Sequence, residues 1–279
     1  MWGCLKFVFL ATVALAAATG CPASAAEIDR ADLYRAQSVT NGFGEANRAR
    51  ALAPSLTEVL VKVSGDPRLT SDPRVGEMAA RAADYVKDFS YRDLLNNRPP
   101  HDEQGTYDRP QYLTTDFEPD KIDALLASLT RKPWISRRPA IVALFDVKPM
   151  KGDGFVLAKD GDAANAADMR TALMVAARQA GMPLVLPGQD DIRSTRDKKP
   201  EALAGMAKTL GGDLVLAGTL IWRDEALGWV GDWQLPANGK DYHWQVRGVS
   251  FDDAFRTAML GAAQILSGNG QPEPVVSAR

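Results

Sequence analysis

Ala140-Ile141-Val142-Ala143-Leu144-Phe145 is an apolar run with no polar interruption. A strand with one wet face alternates apolar and polar residues, and this one does not. It predicts a central strand covered on both faces, and hence an α/β (mixed α+β) chain. C-terminal to it, Phe155–Leu157 is strand-like. Met169, Leu173, Ala176 and Ala177 recur at helical spacing over Ala166–Ala180, and Gly181 ends that helix. Pro183–Pro187 reads as a short buried strand, and Pro200–Leu210 as a helix closed by Gly211-Gly212. Leu214–Arg223 is again apolar on both faces. Leu227–Leu235 and Tyr242–Gly248 follow as strands, with Asn238-Gly239 between them as a hairpin signal. Ser250, Asp252 and Asp253 open a last helix that runs through Leu266. Residues 140–267 therefore read β-α-β-α-β-β-β-α, an antiparallel meander packed on helices. Residues 268–279, with Pro272, Pro274 and little apolar content, read as a flexible tail.

Towards the N-terminus, residues 131–139 carry Arg131, Lys132, Arg137 and Arg138 with Pro133 and Pro139. Proline bars a regular helix there, so the segment reads as a linker between two small modules. Residues 27–130 form the first module, read as β-α-α-β-β-α. Its first strand is Leu33–Thr40, followed by a turn at Asn41–Gly44. Leu52, Leu56, Val59, Leu60 and Val63 then mark an amphipathic helix, with Pro54 in its first turn and Gly65 as its stop. Ser71-Asp72-Pro73 starts a second helix, whose stripe continues from Val75 to Val86. Phe89–Leu94 and Gln111–Phe117 read as strands around a polar loop, Asn96–Pro110. Glu118-Pro119 opens a helix buried through Ile122, Leu125, Leu126 and Leu129.

Residues 1–26 have a short start with Lys6, an uncharged apolar stretch from Phe7 to Ala18, and small residues up to Ala26. This is the layout of a signal peptide. The apolar stretch is too short to span ~30 Å of hydrocarbon, which leaves a periplasmic chain without a transmembrane helix. Ala18-Thr19-Gly20-Cys21 offers the alternative of a lipid anchor at Cys21. Both cysteines, Cys4 and Cys21, lie in this segment. The body then has no thiol, and so neither disulfides nor thiolate chemistry. A net charge of −2 gives no overall drive towards nucleic acid.

Known reaction centres have characteristic residue spacings. Gly42-Phe43-Gly44 lacks the third glycine of a dinucleotide turn, since Asn47 stands in its place. Asp160-Gly161-Asp162 with Asn165 and Asp168 lacks the ligand and glycine positions of a calcium loop. His101 and His243 stand far apart in the sequence and outside any zinc or triad pattern. Asp190-Asp191 and Asp252-Asp253 are neighbours that diverge on a helix. No metal, cofactor or catalytic residue is assigned. Only carboxylates that meet in the fold, as in a glycosidase, carry no such spacing.

Two features remain. Trp222, Trp229, Trp233 and Trp244 lie on the meander, and Trp229 and Trp233 share one strand face. They fill the sheet–helix core or form an exposed aromatic interaction patch. Trp134 sits among the linker's basic residues, where an arginine can stack on it. That cluster is a clamp between modules or a site for an anionic partner or phospholipid headgroups. The expected patch comprises Trp229, Trp233, Trp222, Trp134 and Arg138.

Leu60-Val61-Lys62-Val63-Ser64-Gly65-Asp66, Phe117 before a helix, and Pro133-Trp134 with Arg138-Pro139 before an apolar strand resemble an exported bacterial family, domain of unknown function 2066. That resemblance implies export and no established activity. Residues 166–186 with Ala207–Gly218 are similar in pattern to the N-terminal domain of the Tol-system propeller protein and to lipoprotein activators of penicillin-binding proteins. Those relatives bind other envelope proteins, which implies an adaptor role. The expectation is a non-enzymatic periplasmic adaptor whose partner is another envelope protein. The alternative is a small-molecule or glycan binder, or a weak hydrolase.

Overall fold

A computed structural model describes residues 28–94, 109–193, 200–273 and 275–276. The leader with its candidate anchor Cys21, His101 and nearly all of the polar loop lie outside the described residues. The fold is α+β, with two sheets.

The first sheet holds β1 (Arg35–Asn41), β2 (Val86–Asp93) and β3 (Pro110–Phe117) in the antiparallel order β1-β3-β2. A one-turn helix, α1 (Arg30–Leu33), precedes β1, so this strand starts two residues later than its composition suggests. Leu113 and Phe117 alternate inward along β3 to meet Leu56, Val59, Leu60 and Val63 of α2 (Glu45–Ser64). Pro54 was expected in the first turn of that helix and lies in its middle instead. The carbonyl that loses its partner belongs to Arg50. Both residues are on the exposed side, so water replaces the bond. Gly65 closes α2 in the left-handed region, at φ 69°.

Asp72 caps α3 (Pro73–Ala79), accepting from Arg74 N–H at 3.0 Å. The expected long stripe stops there. A 3-10 turn at Ala82–Tyr85 leads straight into β2, which begins at Val86 rather than Phe89. Helix α4 (Pro119–Ser128) packs Ile122 and Leu126 into the same core.

The second sheet is built on β4 (Ile141–Lys148), which runs parallel to β7 (Leu214–Arg223). β5 (Phe155–Val156) and β6 (Leu184–Val185) share the other edge of β4. Ile141, Ala143, Phe145 and Val147 face α5 (Ala166–Ala180) and α8 (Phe251–Leu266). Val142 faces the opposite side with Ala207 and Val215, which explains the run's lack of alternation. Helix α6 (Gln189–Arg193) and helix α7 (Pro200–Thr209) complete the connection to β7.

β8 (Gly228–Ala237) and β9 (Lys240–Val249) extend the meander through Asn238-Gly239, both at positive φ. Trp233 lies fully buried on β8, 4.9 Å from the Phe145 ring. Its seat is made of glycine. Gly218 is directly across on β7, and a Cβ there would stand 2.3 Å from the indole. The tail read as flexible is tied down in its first half. Gln271 Nε2 donates to the His243 carbonyl at 2.9 Å, and β10 (Val275–Val276) pairs parallel to β9. No helix among the described residues is long and apolar enough to cross a membrane.

Candidate functional site

The C-termini of α2 and α5 meet, and Arg138 lies between them. Only 5% of it is exposed. Its Nη1 donates to the carbonyls of Ala180 (3.1 Å) and Gly181 (3.0 Å), at the end of α5. Its Nη2 donates to Lys62 (2.8 Å), in the last turn of α2, and to Trp134 (2.9 Å). Among the described residues no carboxylate pairs with it. The negative ends of two helix dipoles stand in for a counter-ion. Burial pulls its pKa down to about 10, so it stays charged at neutral pH. The guanidinium lies 4.2 Å over the Trp134 ring, and Trp134 N–H donates to Val63 O at 2.7 Å. Gly181, at φ +63°, gives Arg138 room, because a Cβ would fall 2.7 Å from Nη1. The basic stretch thus clamps the two sheets' helices together.

Beside this node the two sheets enclose a cleft of about 570 Å³. One wall comes from β1, β3 and α2, with Arg35, Ala36, Gln37, Thr114, Glu58 and Lys62. The other comes from α5 and the stretch through β6, with Met174, Arg178, Met182, Leu184 and Leu186. The second wall is mostly apolar. Met174 is 63% exposed, although it sits on a helix with a well-buried inner face.

The cleft's polar floor is Lys62, only 3% exposed. Its ammonium donates to the Arg35 carbonyl at 2.5 Å and pairs with Glu58 at 3.3 Å. Burial pushes the Lys62 amine down from its ordinary value, and the Glu58 charge works against that. Burial pushes the Glu58 carboxyl up, opposed by Lys62 and Arg178. Arg35 is bound to Asp116 at 2.7 Å and to Asp32 at 2.9 Å. Among the described residues no group of three histidine, cysteine or acidic side chains converges on a metal position. The arrangement is suited to holding a ligand with an apolar body and a polar end.

The expected interaction patch is not one exposed surface. Trp229 and Trp233 are buried and Trp222 is half-buried, with its Nε1 donating to Asp224 at 2.8 Å. Trp229 packs edge-on against Trp222, with ring centroids 5.8 Å apart. The physical reason is register. Trp229 and Trp233 share the strand face that meets α8, so the periodicity that aligns them also buries them. Trp134 and Arg138 belong to the clamp instead. Sequence reasoning missed Lys62, Glu58, Arg178 and Met174. One signal was present: Lys62 interrupts Leu60-Val61-Lys62-Val63, a stretch otherwise read as core.

Residues 26–135 match a family model described as domain of unknown function DUF8605. That segment carries an uncharacterised domain, and the match is to this family rather than to domain of unknown function 2066. No curated protein matches the chain. The matched segment contributes the cleft wall of Arg35, Glu58 and Lys62, while the wall of Met174 and Arg178 lies beyond it.

Proposed function

We propose that this chain is a non-enzymatic exported binding protein and that the cleft between its two sheets is the binding site. The single observation that carries this is a 570 Å³ cleft with an apolar wall facing a buried Lys62 paired with the half-buried Glu58. The leader-like layout of residues 1–26 supports a periplasmic location, with a Cys21 lipid anchor as the alternative route to the envelope. Nile red, an uncharged apolar dye, tests the site. Its fluorescence should rise on addition of the full chain. Met174→Asp should weaken the dye's binding about tenfold, since it replaces apolar contact with an unpaired charge. A chain that leaves the dye dark, or a variant that binds it unchanged, overturns the proposal.

An adaptor role is favoured by a different surface from the tryptophans. Phe43 (62% exposed) and Phe89 flank Tyr91 at the edge of the first sheet, at ring-centroid distances of 5.1 and 5.8 Å. Crosslinking in intact cells should then capture an envelope protein at Phe43. Recovery of uncrosslinked chain alone would remove this second reading.

A further inference from the structure

The charges that line the cleft pair off unevenly. Asp32 and Asp116 share Arg35, at 2.9 and 2.7 Å, and Glu58 is committed to Lys62 at 3.3 Å. Arg178, on the last turn of α5, remains. No ion pair or side-chain hydrogen bond holds it among the described residues, and it stands exposed beside the apolar wall. Its charge reaches the floor, where it acts on both Glu58 and Lys62. Behind the floor lies a second unneutralised cation, the buried Arg138, whose Nη1 would meet any Cβ placed on Gly181 of the cleft wall.

Donors are also in surplus. An ammonium has three N–H donors, and Lys62 shows acceptors for two, the Arg35 carbonyl and the Glu58 carboxylate. Arg35 spends Nε on Asp116 and one Nη1 hydrogen on Asp32, which leaves Nη2 and the other Nη1 hydrogen. Arg178 adds a whole guanidinium. A neutral ligand would leave these donors to water, and a cationic one would meet a like charge at the mouth. An anionic group answers both surpluses with charge-assisted bonds.

We infer that the cleft selects an amphiphile with a single anionic head, of the carboxylate class, its head at Arg178 and its apolar body along Met174, Met182 and Leu184. This rests on the cleft being the binding site, as proposed above. Asp32 and Asp116 already crowd Arg35 with two carboxylates, so a singly charged carboxylate head is a better match than a phosphate monoester with nearly two charges.

The test uses three probes with one tail: decanoate, decanol and decylammonium, each displacing Nile red from the full chain at neutral pH. Decanoate should displace the dye at the lowest concentration, about tenfold below decanol, and decylammonium at the highest. Arg178 is exposed, so its replacement spares the core. Arg178→Glu should raise the decanoate concentration needed about tenfold or more and lower that of decylammonium, with decanol unchanged. Equal displacement by all three probes, or a decanoate value that Arg178→Glu does not move, overturns the anion selectivity while the binding site stands. Absence of dye binding to the unaltered chain overturns both.

Discussion

Asp66 shows how one side chain ties distant segments. It is fully buried, and accepts from Arg68 Nε at 2.7 Å, from Arg68 Nη2 at 2.8 Å and from Arg131 Nε at 2.6 Å. It follows the Gly65 stop of α2, while Arg131 follows α4, so the carboxylate joins two helix ends. Burial pushes its carboxyl up, but the guanidinium donors of Arg68 and Arg131 outweigh that and hold it below the usual aspartate value. A depressed folded-state pKa gives stability that is present above the unfolded value and is lost as pH falls through the folded one. Asp66→Asn should therefore cost about 1–3 kcal/mol at neutral pH, measured by urea unfolding. Below about pH 4 the gap between the two proteins should narrow as the native carboxylate takes up its proton. A gap that stays constant well below that pH would show that the charge contributes nothing.

Among the elements, the glycine seat of Trp233 explains why a large indole fits inside a strand pair. An added Cβ at Gly218 meets the indole at 2.3 Å and the Asp232 carbonyl at 2.6 Å, and the latter is backbone that cannot rotate away. Gly218→Ala should lose about 2 kcal/mol or more in chemical denaturation. An unchanged denaturation midpoint would mean that β7 and β8 separate at little cost. Much of this level was legible in the residues. The unbroken run at Ala140–Phe145, the Gly181 stop, the Ser250 cap and the Asn238-Gly239 turn each act through a local rule, and each element formed. Pro54 misled because its cost depends on whether Arg50 faces water, which is a tertiary fact. That an arginine of the basic segment could stack on Trp134 was legible too, but which one was not, because the choice of Arg138 is set by the two helix ends it bonds. The cleft was not, because Lys62, Arg35 and Arg178 are brought together from α2, β1 and α5. Nothing in their local spacing records that meeting.

For the whole molecule, the contacts between the two sheets cluster at one end. Arg138 bonds carbonyls on both α2 and α5. At the same end of α2, Asn269 Nδ2 donates to Ser64 O at 2.9 Å and Ser267 Oγ to Gly65 O at 3.2 Å. Thermal unfolding should accordingly be one cooperative transition. Arg138→Met leaves four carbonyls without their donor and should cost about 3 kcal/mol. Calorimetry of that variant should resolve two transitions, one for each sheet with its helices. A single transition at the original temperature would show that the guanidinium is dispensable. The same junction governs how the cleft can work. Walls pinned at a shared corner have no free hinge, so a guest of the proposed site would not be engulfed by a closing jaw. It would enter a ready-made slot past long, flexible side chains, and both capture and escape would depend on how fast those few groups step aside.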